Sequence, residues 1–257
     1  MSWITAMPAF VFGLAAGSFL NVVIYRLPLG RSVVRPRSAC PACGRTLRWF
    51  ENVPVLSFVL LRGRCRSCGA AISPRYPVVE LLGGFFALLA LWIRGGDPVG
   101  AAFVYTFLMA LLAVAMIDWD HRIIPDEISL PLLAAGLAWS LVNPALGPLS
   151  SVAGALAGGG SLWLVGAAYR RLRGVEGMGG GDVKLMAMIG AWLGLGLVLP
   201  VIVLASFFGS LYGVSLMRRG GDGRTEVAFG SFLAPAAGVC LVCGQAILGW
   251  YLGRFGI

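Results

Sequence analysis

Two kinds of side chain in this 257-residue sequence are spaced as chemistry would require. The first is aspartate beside long apolar runs. Asp118 closes one run in the segment Ile117-Asp118-Trp119-Asp120-His121, and Asp182 opens another directly after Gly179-Gly180-Gly181. An ionisable group at the edge of an apolar run is expensive, which marks it for function. Two carboxylates from distant segments that meet at one face can hydrolyse a bond with water. One takes the proton of the attacking water while the other protonates the scissile carbonyl. Gly179 and Gly181 support that chemistry, because glycine permits close backbone approach and unusual φ/ψ. Lys184, the only lysine beside nineteen arginines, is either a topology charge or a cation that keeps a carboxylate ionised. The bland readings are an N-cap for Asp126 after Pro125, a first-turn dipole complement for Glu127, and an interfacial position for Asp120 and His121. His121 is the only histidine, so it has no second imidazole with which to build a metal site.

The second kind is cysteine. Cys40-Pro-Ala-Cys43 and Cys65-Arg-Ser-Cys68 are two C-x2-C knuckles separated by 21 residues, each followed by glycine, Gly44 and Gly69. Each knuckle points two thiolates at one ion, and two knuckles complete a tetrahedral zinc site. A reducing compartment favours metal over disulfide, and a loop of about 50 residues with few apolar side chains needs such a staple. The role expected for Cys40, Cys43, Cys65 and Cys68 is therefore structural. Cys240-Leu-Val-Cys243 has the same spacing but sits alone in an apolar run, where cysteine packs as a small apolar residue.

The elements that must position these groups follow from composition. Hydrophobic residues make up 58% of the chain and charged residues 12%. A soluble domain carries about twice that charge, so soluble and disordered classes are excluded, and six cysteines are too sparse for a disulfide scaffold. An all-α polytopic membrane protein remains, with a retained first span rather than a cleaved signal. A spanning helix needs roughly 20 apolar residues. Apolar runs at about 77–93, 98–117, 128–142, 149–169, 183–196, 198–217 and 228–253 follow the first at 3–25, which gives about eight spans. The pair 183–217 reads as two short helices or as one pair bent around Pro200. Three regions result: a first transmembrane helix at 1–25, a cytoplasmic four-cysteine zinc loop domain at 26–76, and a transmembrane core at 77–257.

With eight spans and the N-terminus outside, eighteen basic residues fall on the cytoplasmic side and two, Arg94 and Arg254, fall outside. This is a positive-inside pattern. It places both ends outside and both aspartates at the cytoplasmic face, and it assigns the net charge of +9 to topology and anionic lipid rather than to nucleic acid.

Several segments taken together resemble the prepilin peptidases, the type IV leader peptidase family of membrane aspartic proteases. They are Gly17-Ser-Phe-Leu-Asn21 through Pro28, the two cysteine knuckles, Trp49-Phe-Glu-Asn-Val-Pro54, Ser73-Pro-Arg-Tyr-Pro-Val-Val-Glu80, Ile117-Asp118 with Asp120-His121, Ile124-Pro-Asp126, and a G-x-G-D motif at Gly179–Asp182. The resemblance implies that Asp118 and Asp182 are the catalytic pair. It also implies type IV prepilins and type II secretion pseudopilins as substrates, cut after a glycine at the end of a short basic leader, in the bacterial inner membrane. Members with the cysteine loop also N-methylate the new N-terminus with S-adenosylmethionine. A peptidase without methyltransferase activity and a non-enzymatic assembly protein are the alternatives, and the archaeal preflagellin branch lacks the cysteine loop. Where this chain has Ala228 and Ser231, the family often has proline. Oligomeric state and the residues that would bind the methyl donor are not legible.

Overall fold

The computed structural model describes residues 3–175, 177–218 and 228–255, and their regular elements are helical apart from two isolated β-bridges. In chain order they are α1 (Trp3–Arg26), the short α2 (Leu56–Leu60), α3 (Arg75–Ile93), α4 (Pro98–His121), α5 (Asp126–Ser140), α6 (Pro148–Arg173), α7 (Gly180–Leu193), α8 (Leu195–Arg218) and α9 (Gly230–Phe255). Among the described residues, five spans are long and apolar enough to cross a membrane: Trp3–Leu29, Arg75–Ile93, Pro98–His121, Pro148–Arg173 and Leu195–Arg218. The chain is a multi-pass membrane protein. At 15 and 14 residues, α5 and α7 are shorter than the roughly 20 residues that a full crossing takes. Apart from Arg218, which ends α8, the expected break at 218–226 lies outside the described residues, as do residues 256–257.

The pair read at 183–217 is interrupted at Gly194 and not at Pro200. Gly194 has φ 79° and ψ 172°, a conformation that only glycine adopts without strain. Pro200 lies inside α8, past its first turn, and the helix continues through it.

The chain folds as two compact units that divide after Met109. In the first, α1 lies against α3 through glycines: a side chain on Gly13 would strike the backbone of Gly83 and Gly84, and one on Gly17 would strike Val79 and Glu80. Small residues at such a seam let spanning helices meet backbone to backbone.

In the second unit α7 is the buried centre, packed by α5, α6, α8 and α9. Leu185, Met186, Met188 and Ile189 are fully buried, so this helix is apolar on several sides, as an enclosed helix must be. Its contact with α6 is again glycine on glycine, Gly154 against Gly190, and the Ser151 hydroxyl ties the pair by donating to the Ala191 carbonyl at 2.6 Å. On α5, the absence of a side chain at Gly136 makes room for the Trp192 ring, whose Nε1–H donates to the Leu132 carbonyl at 2.7 Å. These contacts hold α7 in place, and with it the aspartate at its first turn.

Candidate active site

Asp118 lies in the last turn of α4 and is 4% exposed. Its Oδ2 accepts two hydrogen bonds from one residue, Ser231: the backbone N–H at 2.7 Å and the hydroxyl at 3.1 Å. The hydroxyl also lies 3.1 Å from the Ala115 carbonyl, so the serine joins the start of α9 to the end of α4. Asp182 is the third residue of α7. Its carboxylate is hydrogen-bonded by the backbone N–H groups of Gly179 and Gly230. The Gly179 contact has the geometry of an N-terminal acid reaching back to the cap residue. Gly230 and Ser231 therefore present successive N–H groups, one to each aspartate, at the positive end of α9.

Both carboxylates line one cavity of about 700 Å3, with Arg122, Gly179, Ser206 and Phe229 in its wall. They are close enough to act on each other electrostatically. Gly181 lies against the Ile124 side chain, while Asp120 and His121 are exposed and outside the cavity. Beside it, Trp119, Tyr212 and Phe232 form a ring cluster, with centroids 5.4 Å apart for Trp119–Tyr212 and 5.6 Å for Tyr212–Phe232.

Three residues make contacts that their spacing in the sequence does not give. Lys184 does not turn toward Asp182: its Nζ pairs with Asp126, 2.8 Å from Oδ1 and 2.7 Å from Oδ2. Asp126 is accordingly not a cap. It is the first residue of α5, Pro125 is the cap residue, and no side chain caps this helix. Ser231 was visible only as a departure from a familial proline. It lies 113 residues from Asp118, and no spacing rule links the two.

The Lys184–Asp126 side chains are 42% and 50% exposed, and exposed pairs contribute about 0–1 kcal/mol. Lys184→Met is expected to leave the pH dependence of activity in place and to lower thermal stability slightly. A displaced acidic limb in the mutant's pH–rate profile would show instead that the ammonium acts on the catalytic carboxylates.

In the first unit the two knuckles are near copies. The Cys40 N–H donates to the Arg45 carbonyl and the Cys65 N–H to the Ala70 carbonyl; the Gly44 N–H donates to Cys40 and the Gly69 N–H to Cys65. Gly44 and Gly69 both have φ 71°, which closes each turn at no steric cost. The four sulfurs lie within 4.8 Å of one another, and Cys40 Sγ is 3.9 Å from Cys68 Sγ. Tetrahedral zinc thiolate bonds of about 2.3 Å set sulfurs roughly 3.8 Å apart, so the donor set and its spacing fit the ion. Backbone N–H groups of Cys68 and Ser67 bring the Cys65 thiol down to about 6. The Ala70 N–H favours the Cys68 thiolate too, but burial and the neighbouring sulfurs push that thiol up to about 11. Such a cluster gives up its first proton readily and its later ones when a cation takes their place.

Glu51 braces the loop. It accepts the Arg48 N–H at 2.8 Å and Arg45 Nη2 at 2.6 Å, and these donors hold its carboxyl below the usual carboxylate range. The stabilisation is present above that range and is lost as pH falls through the lowered value. Cys240 is buried and Cys243 exposed within α9. Among the described residues only the four loop cysteines form a metal-sized group.

Comparison with known proteins gives two successive family matches. The bacterial peptidase A24 N-terminal domain matches residues 11–94, and the type IV leader peptidase family matches residues 105–214. Three similar proteins are each described as a prepilin leader peptidase/N-methyltransferase. That of Aeromonas salmonicida (strain A449) is 37% identical over 98% of this chain and 95% of its own length. That of Burkholderia pseudomallei (strain 1026b) is 40% identical over 92% and 84%, and that of Pseudomonas aeruginosa is 38% identical over 94% and 91%. No solved structure matches. Two family matches that follow one another along the chain, and relatives similar over nearly its whole length, lead to one conclusion: this chain belongs to the type IV leader peptidase family.

Proposed function

We propose that the chain is a membrane aspartic endopeptidase that removes the basic leader of type IV prepilins and type II secretion pseudopilins. It then N-methylates the exposed residue with S-adenosylmethionine as donor. The observation that carries the peptidase half is the pair Asp118 and Asp182 lining one cavity at the helix ends. A water between them loses its proton to one carboxylate as its oxygen attacks the scissile carbonyl carbon. The other, protonated, gives its proton to the carbonyl oxygen, and the tetrahedral species collapses as the leaving amine is protonated. No covalent enzyme intermediate forms. Ser231 is spent on orienting Asp118, and no histidine lies in the cavity to activate it.

The same reading gives eight crossings, counting α5, α7 and α9, with both termini outside and the cavity at the cytoplasmic face of a bacterial inner membrane. Its supports are the eight helices of 14 or more residues among the described residues and the eighteen-to-two split of basic charge. Residues 26–76 form the cytoplasmic loop domain and 77–257 the transmembrane core. Mass spectrometry of a prepilin incubated with the purified protein and S-adenosylmethionine tests the function. Loss of the leader followed by a one-methyl gain is expected. An uncleaved substrate would refute the peptidase, and a cleaved but unmethylated product would refute the transferase.

The loop cysteines would hold one structural Zn2+ per chain, and no chemical step passes through it. Metal analysis of protein purified without chelators should return about one zinc per chain. Cys43→Ser should lower that content and destabilise the loop, while Cys240→Ser should change neither. A zinc-free, folded wild-type protein would contradict this assignment.

A further inference from the structure

The short helix α2 is sided, and its apolar side faces outward. Ser57, Phe58 and Leu61 turn inward and line a cavity of the first unit. Leu56, Val59 and Leu60 are 54%, 63% and 72% exposed. The two sets follow helical spacing, and no charge interrupts residues 52–61. Just before them Trp49 is 83% exposed. Neighbouring exposed apolar side chains with a polar rim mark a protein or a membrane contact.

The depth of α2 is set by α3. At 19 residues, α3 is about 28 Å long, so its whole length is needed to cross a hydrocarbon core of roughly 30 Å. Val55, the residue before α2, donates its N–H to Glu80 Oε2 at 2.7 Å. Glu80 is the sixth residue of α3, which sets the start of α2 about 8 Å along that helix from its first residue. An interfacial helix lies roughly 5–10 Å deep, at the boundary of headgroups and acyl chains. The backbone is bent to reach this place. Val55 has φ 61° and ψ −49°, and the Leu56 N–H donates to the Pro54 carbonyl across it, a rare and strained γ-turn. Arg62, just past the helix, has φ 51°.

Charge decides between lipid and protein. Residues 26–76 hold ten arginines and one acid, Glu51, and that acid is buried and paired with Arg45. Arg48, Arg62 and Arg64, which flank the apolar segment, are exposed. Such a rim attracts anionic headgroups and repels the basic leader of the substrate proposed above.

We propose that α2 and Trp49 are seated in the lipid interface of the membrane that the chain spans, with Arg48, Arg62 and Arg64 on the phosphates of anionic phospholipid. The seat pins the cysteine loop to the membrane surface. A free helix of five residues would not bind there. This one is tethered at both ends by α1 and α3, so three aliphatic side chains and an indole suffice.

The test uses the full chain in nanodiscs of phosphatidylethanolamine and phosphatidylglycerol, with a prepilin co-reconstituted. A photoreactive benzophenone side chain is placed at Leu60, separately at Val59, and for comparison at exposed Ser67 in the second knuckle. Two positions keep the result from resting on one substitution. After illumination, mass spectrometry should find phospholipid adducts at 59 and 60 at least about tenfold more often than at 67. Phosphatidylglycerol should exceed its share of the bilayer about fivefold among them, the factor that one arginine supplies at an anionic surface. Arg48→Gln with Arg62→Gln should remove that excess. Lipid yields at 59 and 60 no higher than at 67, or adducts with prepilin in place of lipid, would overturn the seat. A phosphatidylglycerol excess unchanged in the double variant would overturn the arginine contacts.

Discussion

Asp118→Asn and Asp182→Asn should each abolish prepilin cleavage while leaving membrane insertion and metal content unchanged. An amide neither accepts the proton of a water nor donates one as an acid. The loss is therefore the whole acid or base contribution, about 10²–10⁴-fold for a positioned group. The effects should not add, because the two carboxylates act on one water and removal of either disables the other. Asparagine preserves volume and can still accept the Ser231 N–H that Asp118 accepts, so stability should fall far less than activity. The check is cleavage of a synthetic prepilin by each purified variant, alongside its melting temperature. Asp126→Asn should retain cleavage, since Asp126 is paired with Lys184 and lies outside the cavity.

Gly230→Ala should cost about 10²-fold in kcat, the penalty for displacing a catalytic group by about 1 Å. A Cβ at 230 would lie 2.9 Å from Asp118 Oδ2 and 2.7 Å from Ile124 Cδ1. The isoleucine tip can rotate away. The carboxylate oxygen cannot do so without losing its two bonds to Ser231. The N–H that Gly230 offers to Asp182 would shift with the backbone, so one methyl group disturbs both carboxylates. Gly238 is the control. It lies in the same helix with nothing within 4 Å of its would-be Cβ, so Gly238→Ala should leave activity intact and be neutral or stabilising by up to about 1 kcal/mol. Equal activity in the two variants would mean that the start of α9 does not set the aspartate geometry.

Much of this arrangement is legible in the sequence, and for identifiable reasons. Apolar runs bounded by charge and glycine located every long helix, because the helix ends at 26, 75, 98, 121 and 126 coincide with changes in composition. The cysteine spacing led to a real cluster, since a C-x2-C turn closed by glycine is a local structure. What the sequence left open was settled by local backbone geometry and by contacts between distant segments. Of the two readings of 183–217, two helices is the one seen, and the break falls at Gly194, where φ is positive, rather than as a bend around Pro200. Lys184, two residues from Asp182, reaches Asp126 on another helix, because side chains two apart on a helix do not face each other.

Ser231 matters most. From sequence, Asp118 at the negative end of one helix and Asp182 at the positive start of another, with Lys184 two residues on, suggest that Asp118 carries the shared proton as general acid and that Asp182 is the base. The two Ser231 donors at Asp118 place the positive start of α9 against that dipole. Helix ends therefore no longer separate the two carboxylates, and their roles belong to the pair.

The pH–rate profile of prepilin cleavage by the wild-type protein tests that pairing most directly. Two interacting carboxylates that share one proton titrate as a unit with two macroscopic steps, and only the singly protonated form is active. The expected result is a bell-shaped kcat/KM profile in wild type, with its position unmoved in Lys184→Met. A profile with a single ionisation and a flat plateau, or one that keeps both limbs in Asp182→Asn, would contradict catalysis by Asp118 and Asp182 together.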